Sequence, residues 1–386
     1  MKKFLVVCAA AMLCCSLAFA QEAEDTGRGA ELSIIPRLDA GILYERESKA
    51  FMPLLGNTSL YTLFEGNFSD SWSFSLCNHW LASDWGYGNF SDDLWGPIKG
   101  LYHLNIPGKA VNANNFVDWL YVTYAPGDFE LTLGKQVLLM GGFEFDDYDV
   151  DVDNMLASDF WSSYTCYQWG FTAAWNIPKG IGKVSVQAAL SPWNRGLSLG
   201  LGWDGTYGPY SMKWSVLSQP SLHANAKFDM LVSLGNRLTF GGFSATIDYF
   251  NACGDLNYLQ DDFEVHYPSI AGHTLVGNFA YSIEDKVDFG LKAVWNHGDK
   301  NHPYGLTSEG LPFIPAAVES GDADYCNFAG FSNLTGGLWA HWYPLRNSTA
   351  LRVQAQAGIR NYSIADGGGY IFATLGVTYN LNLKLW

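Results

Sequence analysis

The C-terminal segment has the longest regular alternation of apolar and polar residues in the chain. Between residues 371 and 385 every odd position is apolar or aromatic, while the even positions are mostly polar. The odd positions are Ile371, Ala373, Leu375, Val377, Tyr379, Leu381, Leu383 and Leu385. Successive side chains of a β-strand point to opposite faces, so this pattern predicts a strand with one apolar and one wet face. A strand of about 9–11 residues crosses a membrane, and this segment is long enough.

The same alternation recurs along the chain, for example in residues 71–80, 167–176, 286–295 and 351–360. Residues typical of turns, mainly Gly, Asn, Asp and Pro, separate these segments, which favours a meander of antiparallel strands. In lipid such a sheet must close, because an open edge would leave backbone groups without partners. The pattern therefore predicts an all-β fold, a transmembrane antiparallel β-barrel.

The connections between the predicted strands alternate in length. Short turns are expected at 69–71, 126–128, 178–180, 235–236, 284–285 and 345–348. Long connections are expected at about 83–114, 141–163, 193–222, 251–271 and 298–333. Short turns face the periplasm in such barrels and long loops face outward, which requires an even strand number. Fourteen strands are clear, and a hairpin of "GLSLGLGW" and "GPYSMKWSVL" gives the 16 that we predict, with 14 as the alternative.

The N-terminus predicts export. Lys2 and Lys3 precede a short apolar core, and Ala18–Ala20 form an A-x-A cleavage site before Gln21. No small residue precedes Cys14 or Cys15 as a lipoprotein signal would require, so we expect an unlipidated mature chain. The prediction is a signal peptide at 1–20 and a single outer-membrane barrel domain at 21–386. Losing the two lysines changes the formal net charge from −16 to −18.

The composition agrees with a chain that has much lipid contact. Charged residues make up only 16%, while the chain holds 15 Trp, 21 Tyr and 24 Phe. After residue 20 no apolar run reaches the roughly 18 residues of a membrane-spanning helix. Aromatic residues concentrate at both membrane interfaces of β-barrels, so these numbers favour strands as the spanning elements.

The segment "LTLGKQVLLMGGFEFDDYDVDVDN", residues 131–154, runs from a strand into a series of acids without Lys or Arg. We predict that this third outer loop constricts the pore through Glu144, Asp146, Asp147, Asp149, Asp151 and Asp153. Basic residues occupy the inward parity of strands, because Lys or Arg on the lipid face near the midplane costs about 2–4 kcal/mol. They are Arg37, Lys183, Lys213, Lys227, Lys286, Lys292, Arg352 and Arg360. An acidic loop against a basic wall predicts a water-filled lumen with an electric field directed across the pore.

The segment "LTLGKQVLLMGGFEFD" resembles the strand-to-loop segment "G-K/R-Q…GG-x-E" of porins related to the phosphate-selective porin O and P family. The resemblance implies a sixteen-stranded, often trimeric barrel with the third loop folded inward. Phosphate selectivity in that family depends on ladders of arginine and lysine, which are sparse here, so phosphate is not carried over. The C-terminus also departs from the usual pattern, since Trp386 follows the apolar stripe by one residue.

The sequence thus predicts a porin for passive diffusion of small hydrophilic solutes, in contact with membrane lipid and lipopolysaccharide. A homotrimer is what the resemblance to the porin family implies for its assembly. The acidic balance should favour cations or neutral solutes and disfavours nucleic acid, which is itself anionic. No enzyme and no cofactor are expected.

Several alternatives stay open. An EF-hand register from Asp149 fails because Asn154 and Phe160 occupy the Gly and Glu positions, but clustered carboxylates can still bind Ca²⁺. The acidic loop could also be a solvated outer loop without a role in the pore. A plugged accessory barrel is a further alternative, as is a hydrolase, although the eight histidines match no catalytic signature. Cys253 and Cys326 are either a disulfide or free thiols.

Overall fold

The chain forms a closed antiparallel β-barrel. The computed structural model describes residues 28–46, 49–54, 59–81, 117–144, 154–158, 167–178, 181–190, 196–220, 228–253, 257–260, 263–266, 272–284, 286–298, 332–346, 348–362 and 369–385. Neighbouring strands of the wall pair antiparallel, and the first strand, Gly29–Glu45, pairs with Ser59–Ser69 on one side and with Gly369–Tyr379 on the other. No sheet edge is left open along the barrel, as a lipid environment demands.

The strands are numbered in chain order. The first half comprises β1 (Gly29–Glu45), β2 (Ala50–Leu54), β3 (Ser59–Ser69), β4 (Trp72–Leu81), β5 (Val117–Tyr124), β6 (Phe129–Val137), β7 (Tyr167–Ile177), β8 (Gly182–Leu190), β9 (Leu197–Tyr207) and β10 (Tyr210–Pro220). The second half comprises β11 (Phe228–Phe240), β12 (Phe243–Cys253), β13 (Asn257–Gln260), β14 (Phe263–His266), β15 (Gly272–Ile283), β16 (Val287–Gly298), β17 (Ser332–Trp342), β18 (Leu351–Tyr362), β19 (Gly369–Tyr379) and β20 (Leu381–Lys384).

The barrel has sixteen spans. β2 and β3 follow each other along one side of β1 and form one span, and β19 and β20 do the same along its other side. β13 and β14 form a separate two-stranded hairpin in the connection between β12 and β15. The predicted all-β barrel of 16 strands is confirmed, and the alternative of 14 is wrong. Among the described residues, no helix has the length and apolarity that crossing a bilayer requires.

The alternation predicted from the sequence appears as two faces of different burial. On β19, Ile371, Leu375 and Val377 point outward and are exposed, whereas Phe372 and Thr378 are buried on the inner face. The outer face of the other strands likewise carries exposed large apolar side chains, from Leu38 on β1 to Trp295 on β16. This outer surface is suited to lipid rather than water, because large exposed apolar areas are rare on soluble monomers.

One predicted connection is wrong, because the supposed turn at Gly235 and Asn236 lies inside β11. The hairpin that raises the predicted strand number to 16 is confirmed as β9 and β10, within the stretch 193–222 that a count of 14 strands treats as one long connection. Gly235 serves packing instead, because a Cβ on it would lie 2.7 Å from Cα of Gly142. Asn236 accepts a hydrogen bond from the hydroxyl of Tyr210 at 2.7 Å. The true turn follows at Gly241, whose φ of 58° is a left-handed conformation that favours glycine.

The remaining short turns agree with the prediction, at 70–71, 125–128, 178–181, 284–286 and 343–350. The connection between β6 and β7 is therefore the third on the side of the long loops, as predicted. The predicted signal segment 1–20 and Cys326 lie outside the described residues, so the cleavage stays a prediction, and a disulfide and free thiols stay the two alternatives for Cys253 and Cys326. Cys77 of β4 is buried.

The register makes a testable prediction on β18 and β19. Arg352 and Thr378 are Cα partners on the inner face, and Val353 and Val377 are Cα partners on the outer face. In a cysteine-free background, single cysteines at 352 and 378 should react with a small water-soluble thiol reagent in native membranes, whereas cysteines at 353 and 377 should react slowly. Equal reaction within both pairs would contradict the register.

Candidate functional site

The third connection turns into the barrel directly after β6. Gly141 and Gly142 have φ values of 61° and 75°, two consecutive left-handed residues that redirect the chain. Neither position has room for a side chain: a Cβ on Gly141 would lie 2.6 Å from Oγ of Ser215, and one on Gly142 would lie 2.6 Å from Cζ of Phe250. The paired glycines of the sequence motif thus allow the loop backbone to lie directly on the inner wall.

Apolar side chains of this loop pack against the wall. Leu138, Met140 and Phe143 are all buried. Leu139 lies over Gly200 of β9. A Cβ on Gly200 would lie 3.2 Å from the Cβ of Leu139. On the far arm of the loop, Leu156 is fully buried in the 3-10 turn Asn154–Leu156, which contacts β16, β17 and β18. Both described arms of the third loop therefore lie inside the barrel, as predicted.

Backbone groups of the loop find partners on the wall. Asp248 of β12 accepts hydrogen bonds at Oδ2 from the backbone N–H groups of Phe143 at 2.9 Å and Glu144 at 2.8 Å. Farther back, the N–H of Leu139 donates to Oε1 of Gln187 at 3.0 Å, and that of Gly142 donates to the carbonyl of Lys213 at 3.1 Å. These bonds matter because a buried backbone group without a partner costs about 1–3 kcal/mol.

The centre of the attachment is the carboxylate of Glu144. Its Oε1 lies 2.5 Å from Nζ of Lys292 on β16, and both side chains are only 1% exposed. Ser158 donates from its backbone N–H to Oε1 at 2.9 Å and from its hydroxyl to Oε2 at 2.5 Å. One carboxylate thus joins the first arm of the loop, the second arm and the wall. We call Glu144, Lys292, Ser158 and Asp248 the loop anchor.

Two basic side chains lie beside the loop anchor, near the ring of Phe143. The guanidinium of Arg237 on β11 lies 4.0 Å from the ring centroid of Phe143, and Nζ of Lys213 lies 5.5 Å from it. Nε of Arg237 also donates to Oγ1 of Thr246 at 3.0 Å. Arg237 was not among the residues predicted from the sequence, because the misplaced turn at 235–236 ended the strand before it. Extending the odd-position inner face of β11 past Gly235 would have found it.

The predicted site residues that the structure describes fall into three groups. Glu144, Lys213 and Lys292 meet around the loop anchor, where Glu144 is buried rather than open to the lumen. Lys183 lies elsewhere, as the Cα partner of Asp204 on β9. The other acids of the constriction, Asp146, Asp147, Asp149, Asp151 and Asp153, lie outside the described residues, as does Lys227.

The third group consists of arginines on β1 and β18, the strands on either side of β19. Arg37 and Arg352 are both Cα partners of Thr378, so they lie in one row across three strands. Arg360 is buried farther along β18 and donates from Nη1 to the hydroxyl of Tyr370 at 3.3 Å. These three arginines form an inner face distinct from the wall that holds the loop anchor on β12 and β16.

The described histidines make contacts typical of packing. Nδ1 of His273 lies 2.8 Å from the hydroxyl of Tyr249 and 2.9 Å from the side-chain nitrogen of Asn251. The rings of His297 and His341 lie against neighbouring tryptophans. Within the described part of the chain, no group of three or more His, Cys, Asp or Glu could hold a metal ion.

The loop anchor predicts a graded response to substitution. Glu144→Gln leaves the Lys292 ammonium buried without its counter-ion, and breaking one side of a buried pair costs about 3–5 kcal/mol. We expect the loop to detach while the barrel stays closed. Limited proteolysis should then cut within residues 145–153, while the heat-dependent shift of the folded barrel on gels persists.

The double variant Glu144→Gln/Lys292→Met should be more protected than Glu144→Gln alone, because it removes the uncompensated charge. Lys286→Met is the matched control, since Lys286 is exposed immediately before the same strand. Protection equal to wild type in Glu144→Gln would show that the ion pair does not hold the loop.

The fold has counterparts among solved structures. No protein-family model matches the chain, and no curated protein sequence matches it. The outer membrane channel DcaP of Acinetobacter baumannii is similar over 94% of this chain and 99% of its own, with 12% identity and a TM-score of 0.53. An anion-selective porin from Comamonas acidovorans matches over 92% and 100%, with 10% identity and a TM-score of 0.53. A loop-deletion variant of OmpT, an outer membrane protein of Vibrio cholerae, matches over 92% and 100%, with 9% identity and a TM-score of 0.50. At these identities the likeness establishes that the chain has the barrel fold of outer-membrane porins.

Proposed function

We propose that the protein is an outer-membrane porin, a water-filled pore for passive diffusion of small hydrophilic solutes that its acidic third loop constricts. The observation that carries the proposal is the loop anchor, because it fixes both arms of that loop to the inner wall. A loop held against the inner wall of a closed barrel narrows the lumen but does not fill it with a packed core. The apolar outer face and the likeness to porin structures support a place in the outer membrane.

The length of the loop limits where its acids can be. Nine residues lie between Glu144 and Asn154, and a fully extended chain spans about 3.3–3.6 Å per residue. Because the segment is tethered at both ends, it can move away from the anchor by only about half its length, on the order of 16 Å. We infer that Asp146, Asp147, Asp149, Asp151 and Asp153 border the aqueous path.

The charge balance supports a preference for cations and neutral solutes. Five carboxylates occur in residues 145–153, without Lys or Arg. Two nearby basic residues, Lys292 and Lys213, already contact Glu144 and Phe143 of the loop. In water a charge pair about 4 Å apart is worth about 1 kcal/mol, and more where the lumen narrows and the dielectric falls. A surplus of about 1 kcal/mol is enough to change a permeability ratio about fivefold.

The proposal has a direct electrical test. Asp147, Asp149, Asp151 and Asp153, all changed to Asn, should shift the reversal potential in a salt gradient toward anions and change the single-channel conductance. A control removes the same charge elsewhere, by changing Asp261, Asp262, Asp322 and Asp324 to Asn in other long connections. Barrel stability should match wild type in both proteins, because neither set belongs to the described strands.

The outcomes separate the function classes. If the substituted loop and the control shift the potential equally, the third loop does not constrict the pore. If wild-type protein conducts no ions, the barrel is a plugged or accessory subunit rather than a porin. Hydrolysis would require a nucleophile and an oriented base, and we propose that the protein is not an enzyme.

Calcium is the remaining alternative for the acidic segment. We propose that the carboxylates act through their charge and hold no resident metal. Excess EGTA should then leave the conductance and the reversal potential unchanged at constant ionic strength. A reversible shift on adding Ca²⁺, absent from the quadruple Asn variant and present in the control variant, would instead assign a cation site to this loop.

We also propose that the protein assembles as a homotrimer, as the resemblance of its loop motif implies, with lipid and lipopolysaccharide around the assembly.

A further inference from the structure

A network of side-chain hydrogen bonds surrounds the point where the third loop leaves the wall. β6 ends at Val137, the last of its residues to pair with β7. Leu138 is the first residue beyond the strand, and it is buried. Buried backbone groups need hydrogen-bond partners, and outside a sheet these partners must be side chains or water. At this point they are side chains of the wall, and none of them belongs to the loop anchor.

Gln187 of β8 acts here in place of a neighbouring strand. Its Nε2 donates to the carbonyl of Val137 at 2.8 Å, and its Oε1 accepts from the N–H of Leu139 at 3.0 Å. A neighbouring strand would bond the backbone on either side of Leu138 with the same kinds of group. The N–H of Met140 then donates to the carbonyl of Leu138 at 2.7 Å, so a tight turn begins directly after this contact.

Two further side chains fix the amide of Gln187, which is itself fully buried. Its Nε2 also donates to Oγ1 of Thr172 at 2.9 Å, and the Thr172 hydroxyl donates to Oε1 of Gln136 at 2.6 Å. Nε2 of Gln136 in turn donates to the carbonyl of Gly170 at 3.0 Å. Exchanging the oxygen and nitrogen of Gln187 would place donor against donor and acceptor against acceptor, so the network allows one orientation. We call Gln136, Thr172 and Gln187 the exit clamp.

The wall leaves room for the loop backbone next to the exit clamp. Thr172, Gln187 and Gly200 are consecutive Cα partners across β7, β8 and β9. Gly200 has no side chain, and Leu139 lies over it. A fixed amide and an open position therefore lie side by side where the loop begins.

We propose that Gln187 is the positioning residue of the constriction and acts through the exit clamp. The exit clamp fixes the direction in which the loop leaves β6, and the loop anchor holds the same arm at Glu144. Because both ends of residues 138–144 are held, the first arm stays against the wall, and side-chain hydrogen bonds define the width of the lumen beside it. This inference rests on the proposed porin function, since a constriction acts only on what passes through the pore.

The test begins with a substitution of similar size in the full-length barrel. Gln187→Met leaves the carbonyl of Val137 and the N–H of Leu139 without their partner. We expect single-channel currents to switch among several conductance levels instead of one, and polyethylene glycols that wild-type channels exclude to enter the pore. Hydrogen exchange of residues 138–144, followed by mass spectrometry, should become roughly tenfold faster, the order of change that losing one hydrogen bond makes in an opening equilibrium.

Thr172→Val tests whether Gln187 acts as part of a network. Among the described residues, the Thr172 hydroxyl bonds only Gln136 and Gln187, so valine removes the support of Gln187 and leaves its bonds to the loop possible. We expect the same changes in current, size exclusion and hydrogen exchange as in Gln187→Met, but smaller.

The chain offers a matched pair of controls on β18 and β19. Gln354 and Thr378 are likewise buried and joined by a hydrogen bond, and in the described part of the chain none of their bonds reaches the third loop. Gln354→Met and Thr378→Val should keep the conductance level, the exclusion limit and the hydrogen exchange of residues 138–144 of wild type. Gel mobility before and after heating checks that every barrel is folded.

The results separate the exit clamp from the proposed function. If wild-type protein conducts no ions, the porin proposal fails, and hydrogen exchange alone decides the exit clamp: faster exchange of residues 138–144 in Gln187→Met supports it, and unchanged exchange overturns it. In a conducting barrel, a wild-type current and exclusion limit in Gln187→Met overturn its role in the constriction. An equal effect of Gln354→Met overturns it too, because the loss of any buried amide would then suffice. If Gln187→Met does not fold, Thr172→Val decides by the same criteria.

Discussion

The closure of the sheet is the constraint on which the other features depend. A strand in lipid can satisfy its backbone only through neighbouring strands, so the last span must return to the first. Here β1 pairs with β3 on one side and with β19 on the other. Closure also fixes the parity of every span, because one face then meets lipid and the other the interior. Lys292 and Asp248 are found inside for this reason.

A barrel of sixteen spans encloses more space than its wall side chains can fill. The third loop occupies part of that space, and the wall is shaped for it by glycines such as Gly200 and Gly235. The buried charges of the wall are also matched to the loop. The buried ammonium of Lys292 requires a counter-ion, and Glu144 supplies it while also holding Ser158. A buried ion pair of this kind contributes little net stability but defines one position for the loop.

Periodicity made most of the barrel predictable from the sequence. The odd-position stripe of β19 and the inward parity of Arg352 and Arg360 needed only the two-residue repeat. The turn was predicted wrongly because its residue types are suited both to turns and to contacts inside a strand. Gly235 and Asn236 have turn-forming chemistry, yet Gly235 makes room for the loop and Asn236 accepts a hydrogen bond from Tyr210. A single sequence does not reveal such contacts, because they join residues far apart in the chain.

The candidate site was predictable in outline and not in detail. Its acidic loop and several basic wall residues followed from composition and parity. The burial of Glu144 did not, since only the positions of Ser158 and Lys292 distinguish a structural carboxylate from a solvated one. The row of Arg37, Thr378 and Arg352 was also hidden, because it joins the two ends of the chain through closure.

The loop anchor has a consequence for the order of assembly. Glu144 is 104 residues from Asp248 and 148 residues from Lys292 along the chain. Contacts of such long range form late, because the intervening chain must first be ordered. The loop anchor is therefore complete only once β12 and β16 are both part of the wall. The position of the loop inside the barrel depends on spans that follow it by 104 and 148 residues, so it becomes fixed only as the wall itself is completed.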